Sequence, residues 1–272
     1  MPPELTLDEF DPRKIMESGQ CFRMKPLSAD TVETVAFGRR VAVTDLGGRR
    51  FRFDCEPEAF EAVWRDYFDL DRDYRSIAEN APAGDAYLAR AIGHARGTRI
   101  LRQEPWETLC GFILSQRKHL KAIRACVEAL CDAFGEPVEG TRRRAFPTPE
   151  RLAALTEGEA RLCGLGYRTP YLLAAARDVA SGRLDLAAMD RLPDEELLSR
   201  LMGVHGVGVK VAECVMLFGF GRLSRAPVDV WIRRVIDEVY LGVSPFEGYG
   251  AYAGIYQQYL FILRRDEAAK RR

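Results

Sequence analysis

The residues best equipped for covalent chemistry stand in one short stretch, Leu201-Met202-Gly203-Val204-His205-Gly206-Val207-Gly208-Val209-Lys210-Val211-Ala212. One amphipathic pattern ends near Leu201 and another begins near Gly208, with three glycines in the six residues between them. Glycine permits positive φ and close backbone approach. The first amides of the second helix then point out of the turn carrying partial positive charge, which suits a phosphate at Gly206, Gly208 and Val209. A plain connection between helices would need only one glycine. Lys210 follows in the first helical turn, among apolar Val209, Val211 and Ala212. An amine in such surroundings is expected to lose its proton more easily and to act as a nucleophile. Nineteen residues on, Pro227-Val228-Asp229-Val230 sets a lone carboxylate among apolar residues at a helix start. A carboxylate there must cap the helix or meet a charge.

These groups need a rigid frame, and the pattern supplies one. From about Gly97 the chain reads as helical almost throughout. Apolar residues recur at three- and four-residue steps through Leu120, Ile123, Val127, Leu130 and Phe134, with Gly135 as the stop. Thr148-Pro149 opens another helix, and eight helices in all are expected after residue 96. The first 95 residues read as α+β. Arg39–Thr44 and Arg50–Asp54 alternate with period two around Asp45-Leu46-Gly47-Gly48, the pattern of a β-hairpin. Asp85 is placed to cap a short helix to His94. Two domains are therefore expected: a small antiparallel sheet with helices over 1–95, and a mainly α domain over 96–272.

Composition narrows the class. The 272 residues carry 40 Lys+Arg and 40 Asp+Glu, with 47 % hydrophobic residues. That is ample for a core and too apolar for a disordered chain. No apolar run approaches the ~20 residues that cross a bilayer. The Met1-Pro2-Pro3-Glu4 start lacks the basic-then-apolar leader of export, so a cytoplasmic protein is expected. The seven cysteines include no C-x-x-C pair and are expected to be reduced thiols, with no metal site. The neutrality hides an asymmetry. Residues 1–95 hold 13 basic and 18 acidic groups, a net −5, and the remainder holds 27 and 22, a net +5. Arg117, Lys118, Lys121 and Arg124 form a run without an acid.

Gly206-Val207-Gly208-x-Lys210-Val211-Ala212-x-Cys214 followed by Pro227-Val228-Asp229-Val230 closely resembles the helix-hairpin-helix DNA glycosylases, and specifically the 8-oxoguanine DNA glycosylase/AP lyases. The resemblance implies that Lys210 is the nucleophile and Asp229 the catalytic carboxylate; monofunctional relatives keep the Asp and lack the Lys. Further similarity runs along nearly the whole chain. Glu17–Arg23 resembles the segment whose glycine carbonyl accepts the N7 proton peculiar to 8-oxoguanine, which implies Gly19. Tyr252–Phe261 is similar to the last helix, where a Gln meets the base edge and a Phe its face, hence Gln257 and Phe261, with Cys214 on the opposite face. Gly164-Leu165-Gly166-Tyr167-Arg168 resembles the segment that wedges into the duplex, which implies DNA contact by Tyr167 and Arg168.

Departures fall on the opposite strand and the backbone. Arg117 stands where relatives place an Asn in the gap left by the flipped base, and Lys118 lies beside it. Ala122 stands where they place an Arg that reads the estranged cytosine. Trp231 replaces a phosphate-contacting His, and His205 a Pro. The family implies double-stranded DNA as partner, a monomer, no required cofactor, and at most a structural cation on the hairpin carbonyls. Two other readings fit part of the pattern. An alkylated-purine glycosylase on this fold uses water and has no use for Lys210. A non-enzymatic helix-hairpin-helix module needs only the glycines.

Overall fold

The computed structural model describes residues 1–270. The N-terminal part is a five-stranded antiparallel sheet in the order β1-β5-β4-β3-β2. Its strands are β1 Glu4–Thr6, β2 Lys25–Pro26, β3 Thr31–Ala36, β4 Arg39–Asp45 and β5 Arg50–Asp54, and helix α1 (Pro12–Glu17) lies between β1 and β2. The expected hairpin is β4–β5, in register Val43↔Phe53. Its turn is built by Asp45, whose carboxylate accepts the Gly47 N–H (2.8 Å), and by positive φ at Gly47 and Gly48. Pairing of Val32 with Val43 adds the longest strand neighbour, β3. Helices α2 (Pro57–Ala59) and α3 (Arg65–Tyr67) flank a π-helical turn, Phe60–Trp64. This turn aims Phe60 and Trp64 into an aromatic core with Phe10, Phe51, Phe53 and Phe68. Phe10 meets the Phe51 ring edge-on at 5.0 Å, a packing that adds to simple burial.

Helices α4 (Tyr74–Glu79) and α5 (Ala86–Ala95) pack with the helical core instead. Asp85 caps α5 as expected, accepting the Leu88 N–H at 2.8 Å. It also accepts hydrogen bonds from Tyr249 and Tyr240, so one carboxylate ties α5 to the segment before the last helix. The remainder is α6 (Pro105–Ser115), α7 (Leu120–Phe134), α8 (Pro149–Ala153), α9 (Glu157–Arg161), α10 (Thr169–Ala180), α11 (Leu186–Met189), α12 (Asp194–Met202), α13 (Val209–Phe218), α14 (Val230–Val239) and α15 (Ala253–Lys270). The two more than expected, α9 and α11, are single turns set by Thr156 and Asp185 caps and are too short to show a period. Among the described residues no helix is long and apolar enough to cross a membrane.

The sheet is locked to the helices by a buried ion network. Arg23 is fully buried and meets Glu128 on α7 at 2.7 Å, and Arg143 meets the same carboxylate at 2.5 Å. Arg143 also donates to the Arg23 carbonyl (2.8 Å) and lies 3.5 Å from Glu33 on β3. Removing Glu128 leaves buried Arg23 without an ion-pair partner among the described residues and Arg143 with only the more distant Glu33. Glu128→Ala is expected to cost about 3–5 kcal/mol in chemical denaturation; a loss under about 1 kcal/mol would show that the network is loosely solvated.

Glu107, on the first turn of α6, behaves oppositely. Burial pushes its carboxyl up to about 7, against the pull of Arg23 and with the help of Glu104. A raised carboxyl binds its proton more tightly in the folded state. Ionising Glu107 therefore costs stability that begins to be lost above its unfolded value near 4.5 and is fully lost above about pH 7. Glu107→Gln is expected to leave stability unchanged at pH 4 and to raise it by roughly 2–3 kcal/mol at pH 8. Melting curves at the two pH values check both arms.

Candidate active site

Helix α12 ends in Gly203, and the chain turns through Val204, whose carbonyl accepts the Val207 N–H at 3.0 Å. Gly206 sits at φ +84, and a Cβ there would fall 2.3 Å from the Tyr171 ring, so no larger residue fits without moving the hairpin. Gly208 caps α13 without a side chain. The first amides of α13 therefore lie open at the surface beside exposed His205 and Val209. This is the geometry of an anion site at a helix N-terminus.

Lys210, half-buried in the first turn of α13, turns inward. Its Nζ lies 5.1 Å from the centroid of the Phe112 ring, a cation–π contact held in place by Phe218, which stacks on Phe112 at 5.5 Å. One helical turn on, the Cys214 thiol lies beside the same ammonium; burial pushes this thiol up and Lys210 pulls it down. Asp229 caps α14. Its Oδ1 accepts the Trp231 and Ile232 N–H groups, each at 2.9 Å, and the cap bonds leave Oδ2 uncommitted. Burial raises its carboxyl, while the Ile232 amide and the Lys210 ammonium pull it back. Capping and meeting a charge are thus both satisfied by one side chain.

The opposite wall comes from α15 and the turn after α1. Gln257 donates its Nε2 to the Pro227 carbonyl (2.9 Å), and its Oε1, buried, has no partner among the described residues. Gln258 donates to the Ser18 carbonyl (2.8 Å), and the Gln20 amide donates to Ser18 Oγ (2.9 Å). These bonds hold Gly19 at φ +83, where a Cβ would lie 3.7 Å from the Phe261 ring. Gly19, Lys210, Cys214, Asp229, Gln257 and Phe261 line one cavity of about 60 Å³. Six residues drawn from four separate segments therefore converge on one point. Phe112, Pro227, Ser18 and Gln258 line it too, and sequence reading did not single them out for the site. Their signal is weak, because each looks like an ordinary core or turn residue until its neighbours are known.

The DNA-facing candidates divide. Tyr167 is half-exposed, and Arg117 is exposed with φ +51 at the tip between α6 and α7. Trp231 is half-buried under the Arg234 guanidinium, 5.1 Å from its ring. Arg168, expected at the duplex, is buried: its Nε donates to the Gln116 carbonyl (2.8 Å) and its guanidinium lies 4.3 Å from the Tyr167 ring. The reason is local, since the last carbonyls of α6 have no helical partner and Arg168 supplies one. The Gln116 side chain in turn donates to the Gly206 carbonyl at 3.0 Å, so one residue bridges the hairpin and the wedge segment. In the basic run only Arg117 and Lys121 are exposed. Lys118 donates to the Gly164 carbonyl (2.7 Å), and Arg124 is turned inward onto the Met16 carbonyl. No cluster of His, Cys, Asp or Glu able to hold a metal occurs among the described residues.

Residues 4–109 match the family model of the 8-oxoguanine DNA glycosylase N-terminal domain, and residues 110–244 match that of the HhH-GPD superfamily of base excision DNA repair proteins. The yeast Saccharomyces cerevisiae N-glycosylase/DNA lyase is 31 % identical over 216 residues, which cover 74 % of this chain and 54 % of that protein. The chain thus spans about half the length of that relative. The structure of Clostridium acetobutylicum 8-oxoguanine glycosylase/lyase, bound to duplex DNA with cytosine opposite 8-oxoguanine, superposes with a TM-score of 0.91 at 31 % identity, covering 98 % of each chain. MBOgg1 in complex with a low-affinity DNA ligand superposes at 0.92 with 35 % identity, covering 96 % of this chain and 94 % of that one. With a matched domain on either side of the cavity and whole-chain superposition, the chain belongs to the 8-oxoguanine DNA glycosylase family.

Proposed function

We propose that the chain is a bifunctional DNA glycosylase/AP lyase that excises 8-oxoguanine from duplex DNA and nicks the strand at the resulting site. The observation that carries this reading is the cavity in which an amine, an uncommitted carboxylate oxygen and an unpartnered amide oxygen face one another. A base inside a duplex is out of reach, so the nucleotide leaves the stack at a cost of a few kcal/mol. Tyr167, half-exposed on its loop, fills or wedges the step left behind. The hairpin amides at Gly206, Gly208 and Val209 hold the backbone phosphates. At about 60 Å³ the cavity is far smaller than the ~300 Å³ or more usual for a ligand of base size. Phe261, resting against Gly19, is the ring that swings to admit the purine, which then lies between Phe261 and Cys214.

Recognition follows from hydrogen-bond type. The Gln257 Oε1 accepts from the donors on the Watson–Crick edge of a guanine-type base, which relieves a buried unpaired acceptor. The Gly19 carbonyl accepts the N7 proton that 8-oxoguanine has and guanine lacks. Asp229 stabilises positive charge at C1′ as the glycosidic bond breaks. Lys210 then forms a C1′–N bond as the base departs with the bonding pair. Ring opening gives a Schiff base, and loss of a C2′ proton expels the 3′ phosphate. No step uses a cofactor, and any cation at the hairpin would be held by backbone carbonyls.

Release assays on duplexes carrying one 8-oxoguanine, one guanine or one 3-methyladenine test the reading. Release and nicking confined to 8-oxoguanine are expected. Release of the alkylated base without a nick assigns the water-dependent reaction instead, and binding without release assigns a bare DNA-binding module. Gln257→Leu is expected to lower kcat/KM for 8-oxoguanine about 10- to 100-fold, the effect of losing one to two buried hydrogen bonds.

A further inference from the structure

Outside the cavity, a second group of reactive side chains meets beneath the wedge segment. Lys118, at the α6–α7 turn, directs its Nζ onto the Cys126 thiol of α7 at 2.6 Å. The other three sulfur hydrogen bonds of the described residues are 3.3 to 3.4 Å long. The same Nζ donates to the Gly164 carbonyl at 2.7 Å, and Cys126 Sγ lies 3.3 Å from that carbonyl. Cys126 is buried, 6 % exposed, and Lys118 is half-buried. Gly164 sits at φ +73 and begins the loop that ends in Tyr167 and Arg168. The loop is thus held at one end by Lys118 and at the other by Gln116.

We propose that Lys118 and Cys126 are an oxidative modification site: under peroxide they join through a single oxygen, Lys118 Nζ–O–Sγ Cys126. An amine and a thiol held this close leave a gap that one oxygen spans without moving either backbone. The chemistry balances with peroxide as the oxidant. One peroxide takes the thiol to a sulfenic acid and water. A second takes the amine to a hydroxylamine and water. Condensation of the two hydroxyl-bearing groups then forms the N–O–S bridge and a third water. Overall, one amine, one thiol and two peroxides give the bridge and three waters, a four-electron oxidation. Four thiols reverse it, yielding the free amine, the free cysteine, two disulfides and one water. The link removes the Lys118 positive charge and fixes α7 to the loop that carries Tyr167.

Peroxide treatment of the whole protein, followed by tryptic mass spectrometry, tests this. The expected product is a peptide pair joined at Lys118 and Cys126 that has gained one oxygen and lost two hydrogens, resists cleavage after Lys118, and separates on adding dithiothreitol. The pair is expected to vanish in both Lys118→Arg and Cys126→Ser, two small changes checked for native melting. Hydrogen exchange at 164–167 is expected to slow in the bridged form of the wild type and to recover on reduction. A Cys126–Cys163 disulfide, a pair joined without the added oxygen, or Cys126 found only as sulfinic acid would each overturn the proposal.

Discussion

Lys210→Gln is expected to abolish strand nicking and to lower 8-oxoguanine release by at least about 10⁴-fold, with folding intact. Lys210 has no salt bridge among the described residues; its ammonium rests on the Phe112 ring and against the Cys214 thiol. Glutamine is of similar length and keeps much of the apolar stem, so the fold loses one cation–π contact of about 1 kcal/mol. On the proposed mechanism the reaction loses its nucleophile. Rate and affinity should therefore separate: duplex binding, read by gel shift at fixed salt, stays within a few-fold of wild type while single-turnover release collapses. Normal nicking by the variant would transfer the nucleophile to another residue.

Asp229→Asn is the second large effect. Asparagine caps helices as well as aspartate does, so the N–H groups of Trp231 and Ile232 keep their acceptor. On the proposed mechanism the variant lacks the negative charge that faces C1′, and base release is expected to fall by about 10²–10³-fold. The two halves of the reaction should respond differently. A duplex with a ready-made abasic site has no glycosidic bond to break, so borohydride trapping on it is expected to survive better than trapping on 8-oxoguanine DNA. Equal losses on both substrates would assign Asp229 to Lys210 deprotonation instead.

Lys210 and Asp229 stand out in the sequence because local pattern leaves few explanations for them, whereas Gly19, Cys214, Gln257 and Phe261 are reached only through the family resemblance. Three glycines, a lysine among valines and a carboxylate after Pro-Val do not arise from packing alone, and the structure brings Lys210 and Asp229 to one cavity. The hairpin β4–β5 and the Asp85 cap were legible for the same reason, since alternation and capping are local. Strands β1 and β2 were not, because three and two residues carry no readable period. Nor was the brace formed by Arg168. A Tyr-Arg pair after Gly164-Leu165-Gly166 reads as exposed until the orphan carbonyl of Gln116 is known to lie beside it. Gln116 stands in the polar run Ser115-Gln116-Arg117-Lys118 with no local sign of a distant partner, yet its amide reaches the Gly206 carbonyl ninety residues away.

The overall charge also gains a physical meaning. Part of the excess of basic residues after residue 95 is engaged inside the fold. Lys118 and Arg124 are engaged internally, and Arg225 and Arg222 pair with Asp194. Within the acid-free run only Arg117 and Lys121 are left exposed to meet phosphates, so a local footprint and a modest fall of affinity with salt are expected.

The most direct measurement of the central claim is covalent trapping. Wild-type protein, a duplex with a single 8-oxoguanine and borohydride are expected to give one protein–DNA adduct, and peptide mapping places it on Lys210. Base release with no adduct, or an adduct mapped to another amine, contradicts the Schiff-base mechanism derived from this cavity.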